Sequence, residues 1–241
     1  MAAWLKALAL ALLAVPVSAA ADCRQALLLA LDVSGSVDAR EYRLQLDGLA
    51  AALTDPQVVA ALEAMPGAPV RIGVMEWSGL DFQRMIVPWT DVTDQATLFG
   101  IVSALRGTTR VVGDYSTALG AALTQGGAEV RAQGDCWRQV IDVSGDGISN
   151  VGPQPGTVVA PLDGITVNAL VIGEAVPTAG EGRSPGIGEL VAYFRAYVLR
   201  GEDAFLETAA GFDAFEAAMV RKLLRELQVV AISGMETLDR P

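Results

Sequence analysis

The stretch ALLLALDVSGS, residues 26–36, decides the fold. Its six apolar residues end in turn-forming residues, which is typical of a strand buried on both faces in a parallel sheet. Such a strand brings Asp32, Ser34 and Ser36 to its carboxyl end. Ligands bind at that end of open α/β sheets, and oxygen-only side chains suit a hard cation such as Mg²⁺. The stretch therefore predicts a metal site at an exposed edge of a sheet.

Apolar runs and helical patterns alternate along the rest of the chain. Buried strands are predicted at 70–77, 138–143 and 165–172, and helices at 38–53, 94–105, 116–132, 189–199 and 212–227. A turn at 78–81 returns the chain as a strand over 82–89, where Pro88 requires an edge position. This order predicts an α/β fold with a doubly wound, mostly parallel sheet and one antiparallel edge strand.

The first 21 residues predict a secretory signal. Lys6 is the lone charge there, and the apolar stretch 7–15 is too short to span a bilayer. Small residues follow at 17–21, so cleavage is expected after Ala19, Ala20 or, as we favour, Ala21. We therefore expect an exported protein, periplasmic or secreted, without a membrane span once the signal is removed. A single domain is predicted over 22–230 and a disordered tail over 231–241.

The charge of the chain bears on its partners. The 241 residues carry a formal net charge of −11, and removal of Lys6 with the signal makes it −12. Nucleic acid and anionic membrane surfaces are repelled by such a surface, whereas a cation or a basic protein is attracted. The charge also fits a simpler role, which is to keep an exported protein in solution.

The two cysteines predict a disulfide. Cys23 lies nine residues before Asp32, and Cys136 lies ten residues before Asp146. If the two strands are parallel neighbours, both sulfur atoms lie at the same height in the sheet, and export permits the bond. Lipid modification of Cys23 is the alternative, which the acidic Asp22 before it disfavours.

The chain contains no histidine. This excludes Ser-His-Asp and Cys-His catalytic groups and every histidine-ligated zinc site. If both cysteines are paired, a thiolate nucleophile is excluded as well.

Two further segments bring oxygen atoms to the same end of the predicted sheet. Thr117 lies where a loop enters a helix, and Asp146 follows the predicted strand 138–143. Taken singly, such residues are ordinary cap or turn residues. Asp142 lies four residues before Asp146 and is therefore expected on the same face of the strand. We expect Asp142 to be buried and paired with a basic side chain such as arginine. Taken together, the segments predict a metal site formed by Asp32, Ser34, Ser36, Thr117 and Asp146.

These residues resemble a known pattern. The von Willebrand factor A superfamily has a metal-ion-dependent adhesion site of the form DxSxS, then a threonine, then Asp-Gly. TALG at 117–120 matches its T-x-x-G and favours Thr117 over Thr108, Thr109 and Ser116. A narrower resemblance, to an uncharacterised bacterial family of exported proteins, is carried by EWSG at 76–79, VPW at 87–89, RQVIDVSGDG at 138–147, GITVN at 164–168 and RKLLRE at 221–226.

The resemblance implies a fold, an ion and a type of partner. The fold is a Rossmann-like three-layer sandwich, the ion is Mg²⁺ with Mn²⁺ as a substitute, and the partner is a protein that offers an Asp or Glu carboxylate to the metal. The function expected is therefore metal-dependent protein binding without catalysis.

A Mg²⁺-dependent hydrolase of the phosphoryl-transfer type is the alternative function. Such enzymes with an aspartyl nucleophile usually carry a second acid two residues later, and Ser34 occupies that position here. The chain also lacks the G-x-x-x-x-G-K-[ST] phosphate loop. Both observations disfavour the enzyme.

Overall fold

Six strands form a single sheet in a computed structural model that describes residues 23–111, 113–174 and 185–238, with side chains as far as Gln228. The strands are β1 Cys23–Asp32, β2 Val70–Trp77, β3 Gln83–Val92, β4 Cys136–Gly145, β5 Thr166–Gly173 and β6 Leu206–Ala210. Their order is β3-β2-β1-β4-β5-β6. Only β3 is antiparallel to its neighbour within this sheet, so the predicted fold class is confirmed. The predicted signal, 1–21, lies outside the described residues.

Helices cover both faces of the sheet. They are α1 Ala39–Leu53, α2 Pro56–Leu62, α3 Gln95–Gly107, α4 Leu119–Arg131, α5 Ile187–Tyr197 and α6 Phe215–Leu238. Helices α1, α2, α3 and α6 pack on one face, and α4 and α5 pack on the other, so that each face has its own apolar core. Every residue of β1 is buried, as expected for a central strand with a core on each side.

The antiparallel edge accommodates a proline. β3 pairs with β2, and the register shifts between the Ile72 and Val74 positions, so the stretch around Pro88 faces Gly73 without regular pairing. Pro88 is exposed on this edge strand. A residue without an N–H is tolerated at such a position because no ladder hydrogen bond is lost.

Helix α4 begins later than predicted. The predicted start at residue 116 is three residues too early, since the backbone of Thr117 and Ala118 bonds elsewhere. Asn150 Oδ1 accepts from Thr117 N at 2.9 Å, and the Ser78 carbonyl accepts from Ala118 N at 2.7 Å. The Thr117 carbonyl accepts from Asn150 N at 2.9 Å and not from a helical N–H, and the first helical bond runs from Ala122 N to the Ala118 carbonyl at 3.0 Å, so the helix starts at Leu119.

Helix α6 is longer than predicted. It continues to Leu238, whereas the sequence predicted a disordered tail from 231. No proline interrupts the chain before Pro241, and Gly234 alone does not end the helix. No helix of the described ranges combines the length and the apolar character needed to cross a bilayer.

The predicted disulfide is present. Cys23 and Cys136 are directly paired positions of β1 and β4, and their sulfur atoms are bonded. The bond lies at the amino ends of both strands, at the opposite edge of the sheet from Asp32. It links residues 113 positions apart, for which the chain-entropy model gives a stabilisation of about 4–5 kcal/mol.

A group of buried charges fixes α6 to the sheet. Lys222 is fully buried, and its Nζ lies 2.5 Å from Asp142 Oδ1 and 3.7 Å from Glu226 Oε2. Asn168 Nδ2 donates to Glu226 Oε1 at 3.0 Å. Asp142 is therefore buried and paired as expected, but its partner is the lysine of α6 and not an arginine. Burial raises the pKa of Glu226 to about 7, because it penalises the charged form more than Lys222 stabilises it.

We expect Lys222→Ala to lower the free energy of unfolding by about 3–5 kcal/mol, because it leaves Asp142 buried without its cation. Arg221→Ala is the matched control, since Arg221 is exposed and lies 3.6 Å from Glu207. That exposed pair is worth at most about 1 kcal/mol. Urea unfolding measures both losses, and equal losses would show that the buried pair carries no special weight.

Candidate metal centre

The loop after β1 folds back on its own carboxylate. Ser34 N donates to Asp32 Oδ1 at 2.8 Å, and Asp32 and Ser34 are both buried. Ser36 is exposed, and its hydroxyl lies 3.4 Å from that of Ser34. The three predicted residues of this loop therefore form a continuous line from the core to solvent.

Gly35 is needed because another loop passes close to it. Gly35 N donates to the Tyr115 carbonyl at 3.0 Å, and a Cβ placed on Gly35 would lie 2.9 Å from that same oxygen. A larger residue would therefore push the loop around Tyr115 away. That loop continues directly into Thr117, so the close approach brings the first and second segments together.

Thr117 reaches the first loop. It is buried, and its hydroxyl donates to Ser34 Oγ at 3.3 Å. Asn150 holds it in place, since its side chain accepts from Thr117 N and its own N–H donates to the Thr117 carbonyl, each at 2.9 Å. Gly120 permits this approach of the loops, because a Cβ there would lie 1.9 Å from the Pro153 carbonyl oxygen.

Asp146 closes the group. It follows the last residue of β4 and is partly buried, and Ser36 Oγ donates to its Oδ1 at 2.6 Å. The structure thus brings together all of the side chains predicted for the site, which are Asp32, Ser34, Ser36, Thr117 and Asp146. Asp32, Ser34 and Thr117 form the buried side, and Ser36 and Asp146 form the side that faces solvent.

The electrostatics of the two carboxyl groups favour a bound cation. Asp32 Oδ2 is buried and has no hydrogen-bond partner among the described residues. Burial and, secondly, the charge of Asp146 raise the pKa of Asp32 to about 8. Burial raises the pKa of Asp146 too, with Glu41 adding to the effect. Two carboxylates that resist ionisation next to each other would be relieved by a positive ion between them.

The donor atoms fit a hard divalent cation. Within the described ranges no group of three Asp, Glu, Cys or His side chains is arranged to hold a metal ion, so an ion here would depend on hydroxyl oxygens as well as on the two carboxylates. All these donors are oxygen atoms, which Mg²⁺ and Mn²⁺ prefer. Neutral hydroxyls do not cancel the charge of an ion, so a bound ion would stay electrophilic towards solvent.

Supporting residues of the site were missed by sequence analysis. Gln45 of α1 donates to the Asp32 carbonyl at 2.9 Å and accepts from Ser144 Oγ, also at 2.9 Å. It thereby joins the ends of β1 and β4. Asn150 positions Thr117 in the same way from another loop. A glutamine in a helix and an asparagine in a loop carry no local signal of these distant contacts.

Comparisons with known proteins agree with this structure. Residues 22–231 match the family described as "Protein of unknown function (DUF1194)". No curated protein matches the chain.

Solved structures share the fold at low sequence identity. One is proximal thread matrix protein 1 of the mussel byssus "with zinc occupied MIDAS motif", with a TM-score of 0.57 and 18% identity over 86% of this chain and 46% of that one. Another is a von Willebrand factor type A protein from Catenulispora acidiphila, with a TM-score of 0.52 and 14% identity over 85% of this chain and 42% of that one. A third is BatB from Bacteroides thetaiotaomicron, with a TM-score of 0.53 and 17% identity over 86% of this chain and 98% of that one. The chain spans less than half of the first two proteins, and the likeness establishes a von Willebrand A-like fold.

Without metal, we expect the free energy of unfolding to fall between pH 7 and 8. The folded protein holds a proton on Asp32 up to a pKa of about 8, whereas the unfolded chain releases it near 3.8, so rising pH favours unfolding. Glu226, with its pKa raised to about 7, adds the same trend mainly below pH 7. Asp32→Asn should remove the fall between pH 7 and 8, which urea unfolding in chelator measures.

Added Mg²⁺ should reverse this effect in the wild type alone. An ion at 100 times its dissociation constant adds about 2.7 kcal/mol to the free energy of unfolding. Asp32→Asn should gain nothing, since it lacks the buried carboxylate. Equal gains in both proteins would place the ion elsewhere.

Proposed function

The chain belongs to the DUF1194 family, and from that premise we propose that it is an exported, non-catalytic module that binds a protein through a divalent metal ion. Its ligands would be Asp32, Ser34, Ser36, Thr117 and Asp146. Mg²⁺ is the proposed ion, with Mn²⁺ as a substitute. The family description assigns no function, so the proposal is carried by the site itself.

The observation that carries the proposal is the buried, unpartnered Oδ2 of Asp32 beside hydroxyls from two segments. An ionised carboxylate in such a place is costly unless a cation or a donor faces it. Most buried polar atoms in proteins have a hydrogen-bond partner, so a buried carboxylate oxygen without one indicates a binding site for a further group. A metal ion supplies that partner.

A carboxylate of another protein would complete the ion's coordination. Asp32 and Asp146 together balance a divalent charge, but hydroxyl ligands leave the ion able to attract a further anion. Ser36 is exposed and Asp146 is only partly buried, so the ion would be accessible from this side. An Asp or Glu side chain of the partner fits such a position.

Exposed apolar side chains around the site favour a partner of protein size. Leu80, Tyr115 and Ile148 are 43%, 72% and 36% exposed. Tyr115 belongs to the loop bonded to Gly35, and Ile148 lies two residues after Asp146. Aromatic and aliphatic side chains next to a polar centre are typical of protein interfaces.

Export is supported by two features of the chain. The apolar leader with small residues at 17–21 is typical of a secretory signal, and a disulfide such as Cys23–Cys136 persists in oxidising compartments. We place the protein in the periplasm or outside the cell.

We expect the immobilised mature protein to retain a partner from periplasmic and culture-medium fractions in Mg²⁺ and to release it in chelator. Asp32→Ala should retain nothing, because the buried anchor of the ion is lost. Asp163→Ala is the matched control, since Asp163 is exposed and precedes β5 at the opposite edge of the sheet. Mass spectrometry of the eluted fraction identifies the partner.

Hydrolysis of a phosphate ester distinguishes the proposed binding module from the alternative, a phosphoryl-transfer hydrolase. A binding module should leave p-nitrophenyl phosphate intact in Mg²⁺ and in Mn²⁺. Metal-dependent hydrolysis that disappears in Asp32→Ala would instead make the protein an enzyme.

A further inference from the structure

We propose that Arg106 and Arg110 form a second carboxylate-binding subsite beside the metal loop, so that the protein ligand carries two acidic residues close together. This inference rests on the proposed function, because the first carboxylate is the one bound to the metal. It adds the charge pattern of the partner, which the metal site alone does not define.

The subsite is a surface pocket of about 620 Å³ between α1 and the end of α3. Its walls include Tyr42, Arg43, Arg106 and Arg110. Asp47 is the one acidic residue among the residues that line it. The pocket therefore has a formal charge of +2 in a chain whose net charge is −11.

Arg110 connects this pocket to the metal loop. Its Nη2 lies 3.2 Å from the Val33 carbonyl oxygen and 3.3 Å from that of Ser34. Its guanidinium also lies over the ring of Tyr42, 5.8 Å from the ring centre. The Arg110 guanidinium therefore contacts the backbone of Ser34, a predicted metal ligand.

Arg110 and Arg106 remain available to an anion. A guanidinium has five N–H donors, and the contacts of Arg110 with carbonyl oxygens use only its Nη2. Neither arginine has an ion-pair partner in the part of the chain that the structure describes. A carboxylate matches the planar fork of a guanidinium, which makes it the ligand expected here.

The neighbouring arginines, Arg43 and Arg84, are already paired with acidic side chains. Arg43 pairs with Asp47 and donates to the Thr108 carbonyl at 2.9 Å. Arg84 pairs with the buried Glu76 and donates to the Thr109 carbonyl at 3.3 Å. Both hold the loop between α3 and α4 in place, which supports the position of Arg110.

The other side of the metal site repels a second acid. The groove next to Ser36 and Asp146 also contains Glu41, Glu174 and Asp213. Its arginine, Arg40, is already paired with Asp213 at 2.6 Å. An acidic segment bound to the metal is therefore directed away from this groove and towards Arg106 and Arg110.

The spacing within the partner follows from chain geometry. Side chains on one face of an extended segment recur every second residue, about 6.6 Å apart. Two acids separated by one or three residues lie on one face of such a segment, and a pair of this kind is expected to bind the metal and the arginine pocket together. The partner segment is expected to contain such a pair.

The inference can be tested with fluorescein-labelled Gly-Ser peptides that carry either one Glu or two Glu residues separated by one, two or three residues. In Mg²⁺ we expect the best two-Glu peptide to bind about tenfold more tightly than the one-Glu peptide, by fluorescence anisotropy. Arg106→Gln should remove this difference and leave the one-Glu affinity unchanged. Arg110→Gln should also remove the difference between the two kinds of peptide, and its Mg²⁺-induced thermal shift reports whether the metal loop is intact.

Arg40→Gln is the matched control, since Arg40 flanks the metal site on its other side, and it should keep the tenfold difference. If the one-Glu peptide binds in Mg²⁺ but a second Glu adds nothing, or if Arg106→Gln keeps the difference, the subsite is refuted and the metal function stands. If no peptide binds in Mg²⁺, or if binding persists in chelator and in Asp32→Ala, the proposed function itself fails.

Discussion

The carboxylate of Asp32 is the constraint on which the rest of the site depends. It is held at the end of a strand buried on both faces, with Oδ1 bound by its own loop and Oδ2 bound by no described group. Burying a charge in this way is unfavourable without a counter-charge. Gln45 adds rigidity, because it fixes the Asp32 carbonyl to Ser144 of the neighbouring strand. The fold thus maintains a buried carboxylate oxygen to which a bound cation would supply a partner.

The sequence predicted the features that follow from local pattern and from strand geometry. The apolar run before Asp32 identified the buried strand β1. The similar spacing of the cysteines from Asp32 and Asp146, nine and ten residues, is compatible with the observed β1–β4 pairing. In a parallel pair, one register determines every other neighbour along both strands. The disulfide at the amino ends of β1 and β4 and the approach of Asp32 to Asp146 at their carboxyl ends therefore both follow from the same pairing of the two strands.

Contacts between distant segments could not be predicted in this way. Asn150 determines where α4 begins, and Lys222 balances Asp142 from the last helix. Neither residue has a periodic or spacing signal, since its partner is chosen by how loops and helices meet in three dimensions. Arg110 belongs to the same class, because it approaches the Ser34 carbonyl only when the loop after α3 lies against the loop after β1.

In the proposed function, the position of Arg110 would couple the binding of the metal to the binding of its protein ligand. A guanidinium so close to the Ser34 carbonyl adds positive potential to the loop proposed to hold a cation, which would oppose the binding of the metal alone. An acidic partner offsets both charges at once, so the metal and the partner should each strengthen the binding of the other. Such coupling is reciprocal by thermodynamic necessity. The proposed site, with two carboxylates, neutral hydroxyls and a nearby arginine, would therefore hold its ion more firmly while an acidic partner is bound.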